Sequence, residues 1–92
     1  MANSLKGRIW KLDTASATPV TTEPQNVKSI RWVNASGVTG DTAVIKDPDG
    51  AVLWDSVQPG ANFVEYDLLE TWWSRGFAVT TLASGTLYLT LK

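Results

Sequence analysis

The sequence predicts an all-β domain in which short antiparallel strands form a sandwich or a small barrel. Runs rich in Val, Ile, Leu, Thr and Trp alternate with clusters of Gly, Pro, Asn, Asp and Ser, about every eight to twelve residues. No long helical period competes with this pattern. Because 92 residues leave room for one core of ordinary size, we expect residues 1–92 to form a single domain.

The composition excludes several kinds of site. Without cysteine or histidine the chain cannot build a disulfide, a thiolate or histidine metal site, or a Ser-His-Asp triad. Nine carboxylates could supply a glycosidase pair, but nothing in their spacing selects one. We therefore expect no enzymatic activity, no catalytic residues, no cofactor and no metal.

Charge and hydropathy bear on partners and location. Eight basic and nine acidic residues, mixed along the chain, give a net charge of −1, which is not typical of proteins that bind nucleic acid or anionic lipid. The first eight residues do not have the apolar stretch typical of a secretory signal, and the sequence has no run of eighteen consecutive apolar residues. We expect the protein to be made in, and soluble in, a cytoplasm, with no nucleic-acid or membrane partner.

The first third of the chain carries two predicted strands separated by a loop. Residues 8–12 predict a strand in which charged residues are interleaved among apolar ones. Residues 13–25 predict a Thr/Pro-rich loop or arm with a short extended piece at 19–21. Because proline has no N–H to donate to a strand ladder, this piece is at best an edge strand. Residues 27–33 predict a second strand with Ile30 and Trp32 on one face.

The clearest hairpin signal lies in the middle of the chain. Predicted strands at 42–46 and 51–55 flank Asp47-Pro48-Asp49-Gly50, where Pro fixes φ and Gly accepts a positive φ. A calcium loop opens with similar residues, but Gln58 stands where that loop needs a glutamate. We therefore expect a turn here and no metal site.

The next segment predicts a strand at 62–66 and then a short helix at 68–75. Asp67 followed by Glu70 resembles a capping box, and Gly76 would lie just past the end of the helix. The apolar residues that would share one side of this helix are Leu68, Leu69, Trp72 and Trp73. An irregular loop pinned by its tryptophans is the alternative.

Two strands at 77–82 and 86–91 close the chain. The second alternates strictly, with three leucines on one face and Thr86, Tyr88 and Thr90 on the other. We therefore expect the last residues to lie inside the sheet and to be structural.

The five tryptophans divide into two groups. Trp10, Trp32 and Trp54 lie in predicted strands, and we expect them in the core of so small a domain. Trp72 and Trp73 are adjacent, so a strand would leave one ring outside. Because Trp and Arg are enriched at binding hot spots, Trp72, Trp73 and Arg75 are the candidate partner interface, with core packing or loop pinning as the alternative.

A nucleic-acid interpretation is weaker. Basic residues Arg8, Lys28 and Arg31 lie in strands beside Trp10 and Trp32, as in platforms where rings stack bases and cations follow phosphates. The few cations and the near-zero net charge argue against it.

The segments IRWVNASG, DTAVIKDPDGAVLWDS and GFAVTTLASGTLYLTLK, with the tryptophan-bearing connector between the last two, span about residues 30–91. Together they resemble the small virion-associated proteins of tailed bacteriophages. The resemblance implies a jelly-roll-like sandwich of seven or eight strands without enzymatic activity. It further implies a head decoration or cement protein, or a small tail component, that forms homo-oligomers and binds other virion proteins. The alternative is a carbohydrate-binding module whose exposed tryptophans stack on sugar rings.

Overall fold

A computed structural model describes residues 3–16, 18–34, 37–60 and 62–92, apart from the side chain of Phe63. The segment 34–40, which is rich in Asn, Ser and Gly, also predicts a turn, and Ala35 and Ser36 within it lie outside the described residues. The described residues form eight strands and no helix. The strands are β1 (Ser4–Lys6), β2 (Ile9–Leu12), β3 (Gln25–Asn34), β4 (Thr42–Lys46), β5 (Val52–Val57), β6 (Phe63–Trp73), β7 (Ala78–Leu82) and β8 (Thr86–Leu91).

Two antiparallel sheets pack as a sandwich, which confirms the predicted all-β antiparallel class. The larger sheet has the order β1-β2-β8-β3-β6 and the smaller one β5-β4-β7. The predicted extended piece at 19–21 lies beside the start of β7, since Val20 N donates to Phe77 O and Phe77 N to Thr21 O, at 2.8 and 3.0 Å. With this piece counted, β2-β8-β3-β6 faces 19–21-β7-β4-β5, which is the interleaved order of a jelly roll.

The core lies between the sheets and contains the tryptophans predicted for it. Trp32 is fully buried and Trp54 is 7% exposed, and their rings meet edge to face with centroids 6.3 Å apart. Trp10 is half-buried and packs on Phe77 at 5.7 Å. The core predictions for Trp32 and Trp54 are confirmed, while Trp10 lies at the margin of the core.

The predicted hairpin is confirmed as β4 and β5. Gly50, with a φ of 93°, donates its N–H to Asp47 O at 2.9 Å. The Asp47 side chain closes the turn by accepting the N–H groups of Asp49 and Ala51, both at 2.9 Å. The aspartate therefore acts as a turn residue, as its sequence context predicts.

The predicted helix at 68–75 is wrong, because β6 continues as a strand to Trp73. A spacing of four residues is one helical turn but also two strand repeats, so apolar residues at that spacing share a face in either structure. The backbone of β6 pairs with β3 along nearly the whole length of β6, and this pairing favours the strand over the helix. The Asp67 carboxylate, expected to cap a helix, instead accepts the indole N–H of Trp54. Gly76, expected just past the end of that helix, lies instead in the turn that leads to β7, with a φ of 81°.

A buried polar network closes one end of the sandwich. Asn34 and Gln58 are each 1% exposed and are hydrogen bonded to each other. Asn34 also donates to Ser84 Oγ at 2.6 Å, and Ser84 donates to Asp41 Oδ2 at 2.6 Å. The Ser84 hydroxyl, followed by the Val38 N–H, holds the pKa of Asp41 below its usual value. Buried polar groups need hydrogen-bond partners. These side chains find theirs on neighbouring loops, so the bonds hold the three loops at this end together.

Candidate functional site

The outer face of the five-stranded sheet carries an apolar row along β6. Alternate residues of this strand point outward, and Glu70 takes one of these positions, between Leu68 and Trp72. The other four outward positions carry large apolar side chains. Each is 58 or 59% exposed. We call this row the β6 stripe, and it consists of Val64, Tyr66, Leu68 and Trp72.

The β6 stripe lies at the margin of the sheet, because β6 pairs with β3 and is an edge strand. Between the stripe residues, Glu65, Asp67 and Leu69 are half-buried on the opposite side of the strand. The strand contains no basic residue. Because β6 is an edge strand, a neighbouring molecule can reach the stripe from the outer face of the sheet and from the open side of β6.

The predicted interface residues meet at the end of β6, although not in the expected way. Trp72, Trp73 and Arg75 line a hollow of about 230 Å³ together with Asp47, Leu53, Ser74 and Gly76. Trp73 is only 5% exposed and packs on Phe77, with ring centroids 5.6 Å apart. Arg75 is exposed and forms an ion pair with Asp49, Nη1 to Oδ2, at 2.5 Å. Trp72 is therefore the ring of the pair that is available to a partner, and Trp73 belongs to the core.

A row of aromatic and cationic side chains crosses the same outer face. Arg31 is paired with Tyr66 on one side and with Tyr88 on the other. Its guanidinium carbon lies 5.1 Å from the centroid of the Tyr88 ring, a cation–π distance. These three side chains line a hollow of about 160 Å³ with Ile9, Ser29 and Thr90. Tyr66 thus joins the β6 stripe to the middle of the sheet.

An open cleft of about 750 Å³ lies at one end of this face. It is lined by Lys6, Gly7, Arg8, Ile9, Lys28, Glu70, Thr90, Leu91 and Lys92. Four of the chain's eight basic residues are in this lining. We call it the basic cleft, defined by Lys6, Arg8, Lys28 and Lys92.

Two carboxyl groups lie together where the edges of the two sheets meet. Glu65 accepts the Ser56 hydroxyl, and Asp67 accepts the Trp54 indole N–H at 2.9 Å. Burial, followed by the hydrogen bond with Asp67, raises the pKa of Glu65. The hydrogen bond from Glu65, followed by that from Trp54, lowers the pKa of Asp67. Sequence spacing did not select this pair, and its hydrogen bonds to β5 give it a structural task, which is to hold β6 and β5 together.

The other sites weighed from the sequence are placed as follows. Trp10 and Trp32 pack toward the interior, so they cannot form a base-stacking platform with Arg8, Lys28 and Arg31. In the described ranges, no cluster of three or more acidic side chains is arranged to hold a metal ion. Likewise, no helix of the described chain has the length and hydropathy needed to cross a membrane.

Sequence reasoning missed most of the stripe, although a signal for it was present. Val64 and Tyr66 lie in the predicted strand at 62–66, where strict alternation places them on one face. Continuing that strand instead of starting a helix would have added Leu68 and Trp72 to the same face. The basic cleft left no such signal, because its four cations come from separate parts of the chain.

Comparison with known proteins finds no matching family model, no similar curated protein and no similar solved structure.

Proposed function

We propose that this protein is a non-enzymatic structural protein that binds other protein subunits through the β6 stripe. The observation that carries the proposal is the alignment of four apolar side chains, each more than half exposed, on one edge strand. Contiguous exposed apolar surface is typical of protein interaction sites, and aromatic residues are enriched there. Scattered single apolar residues would not carry the same weight.

The occupant that fits the stripe best is a second copy of this chain. A two-fold axis through Tyr66 would bring Val64 of one copy opposite Leu68 of the other, so the stripe is self-complementary. Direct pairing of the two edge backbones in that register would also set Glu65 opposite Asp67, and like charges directly opposite are destabilising. We therefore expect the copies to associate by packing their side chains and not by joining their sheets.

The resemblance to small virion-associated proteins supports a phage particle as the setting. In that setting the chain is a head decoration or cement protein, or a small tail component, made in the host cytoplasm and located in the virion. Such a protein acts by binding alone and needs no active site. Repeated weak contacts on a lattice add up to strong attachment.

The test is the mass of the purified protein by light scattering over a dilution series. The variant Val64→Ser with Leu68→Ser removes two stripe residues, and Val52→Ser with Val57→Ser removes two exposed valines from β5 as a matched control. We expect an oligomer that the stripe variant dissociates and the β5 variant does not. A strict monomer, or equal dissociation in both variants, contradicts the proposal.

A carbohydrate-binding module is the second candidate, and the hollow beside Trp72 favours it. An exposed ring next to Asp47 and Arg75 combines an apolar stacking surface with polar groups that orient a sugar. Titration with a panel of glycans tests it through tryptophan fluorescence. A saturable change that Trp72→Ala abolishes would establish this candidate, and no change with any glycan would remove it.

A further inference from the structure

We infer that the basic cleft binds an extended, carboxylate-rich segment of a second protein. The inference goes beyond the proposed function, because the basic cleft shares no residue with the β6 stripe and its occupant is a different protein.

The charges of the cleft carry the first step. Lys6, Arg8, Lys28 and Lys92 contribute four positive charges, and among the described residues of the lining Glu70 alone is acidic. Glu70 lies 3.6 Å from Lys92 Nζ, so it offsets one of the four. The cleft therefore keeps a local charge of about +3 on a chain whose net charge is −1. A patch whose sign opposes that of the whole molecule selects partners by charge complementarity.

The backbone fixes where these cations lie. Gly7, with a φ of 63°, turns the chain between β1 and β2 and sets Lys6 and Arg8 on its two sides. Leu91 N donates to Arg8 O at 2.7 Å, and Lys92 N donates to Asn26 O at 2.8 Å. The ladder is irregular between Val27 and Ser29, which is where Lys28 projects. Three separate parts of the chain are thus held around one opening, so the cleft is a built feature of the fold.

The surroundings of the cations favour a peptide over a nucleic acid. The apolar part of the lining is aliphatic, Ile9 and Leu91, whereas single-stranded nucleic acids are held by open aromatic rings. Two tyrosines of this face, Tyr88 beneath the Arg31 guanidinium and the exposed Tyr66, are not in the lining of the cleft.

Lys6 in the lining is the last residue of β1, so the cleft borders this edge strand. The outer backbone groups of an edge strand can pair with an extended peptide. Glutamate or aspartate side chains alternating along such a peptide would reach the cations.

The experiment uses fluorescence polarisation with three labelled probes of equal length: an alternating glutamate–valine peptide, its glutamine–valine analogue and a thymidine oligonucleotide. We expect the glutamate peptide to bind the full chain and the glutamine peptide not to bind. We expect Arg8→Glu and Lys28→Glu each to weaken binding by about tenfold, and added salt to weaken it further. Lys46→Glu, a charge reversal on the three-stranded sheet, is the matched control and should leave the affinity unchanged.

Three outcomes would overturn the inference. They are no binding of the glutamate peptide, equal loss in Lys46→Glu, and tighter binding of the oligonucleotide than of the peptide. Circular dichroism of each variant shows whether it is folded. If Lys28→Glu does not fold, Lys28→Gln removes the same positive charge with a milder change. Self-association measured on the same variants separates this inference from the proposed function, since charge changes in the cleft leave the β6 stripe intact.

Discussion

Trp72 and Trp73 are consecutive residues with opposite environments, one 58% exposed on the outer face of β6 and the other 5% exposed against Phe77. A strand turns successive side chains to opposite faces, so the backbone itself separates the two rings. The pair therefore does two different things. Trp73 stabilises the fold, and Trp72 contributes to the β6 stripe.

Single substitutions of the two tryptophans should have opposite effects. Trp73→Ala removes a buried ring and should lower the free energy of unfolding by about 3–5 kcal/mol. Trp72→Ala should change it by less than about 1 kcal/mol, as at most surface positions, but should weaken self-association. Urea unfolding and light scattering of both variants give the two readouts. Comparable destabilisation by the two substitutions would show that Trp72 also belongs to the core.

Gly76 should be far less tolerant of a side chain than Gly50. Both have a positive φ, but a Cβ at Gly76 would lie 2.0 Å from Thr21 O, whereas nothing lies within 4 Å of one at Gly50. Gly50→Ala should cost about 1–2 kcal/mol from φ alone. Gly76→Ala should cost at least about 1 kcal/mol more, because it also displaces the segment at 19–21. Equal urea midpoints for the two variants would mean that this segment moves away freely.

The carboxyl pair should make stability depend on pH. The raised pKa of Glu65 favours the folded state at low pH, and this contribution is lost as the pH rises past the usual glutamate value of 4.5. The lowered pKa of Asp67 acts in the opposite sense, and its contribution is lost as the pH falls below the usual aspartate value of 3.8. Glu65→Gln keeps a neutral hydrogen-bonding group next to Asp67, so it should be more stable than the unaltered protein at neutral pH and close to it in acid.

The measurement is urea unfolding at about pH 4 and about pH 7, a range that spans the usual pKa of glutamate. The stability gained by Glu65→Gln should grow with pH, whereas Glu23→Gln, on an exposed loop, should show no such trend. A gain that is the same at both values would mean that folding does not change the pKa of Glu65.

Removal of residues 89–92 should unfold the protein. Strand β8 lies between β2 and β3 in the larger sheet, and Leu89 is fully buried. Without these residues two ladders lose half their length and the core loses a leucine. A proton–nitrogen NMR spectrum reports the outcome, with removal of Lys92 alone as the control. A well-dispersed spectrum of the longer truncation would contradict the structural role of this strand.

Much of the fold could be predicted because the decisive signals are local. The turn at Asp47 and Gly50 and the alternation around Tyr88 each specify a strand boundary or a face within a few residues. The end of β6 could not be predicted in the same way. Leu68 and Trp72 satisfy a helical and a strand period equally, and the strand is chosen by pairing with β3, which is distant in sequence.

The candidate site shows the same division. Trp72 could be found from its residue type and its tryptophan neighbour, but its exposure depends on β6 being an edge strand. The basic cleft depends entirely on tertiary structure, since Lys6 and Lys92 lie near opposite ends of the sequence and meet through β2 and β8. The net charge of −1 is a sum over the whole chain, so it gives no sign of this local basic surface.

The most direct test of the β6 stripe as the contact between copies is a series of proton–nitrogen NMR spectra recorded over a range of protein concentrations. We predict that the amide signals of residues 64–72 shift or broaden as the concentration rises, while those of β5 and β7 do not. Shifts confined to other strands, or none at all, would contradict it.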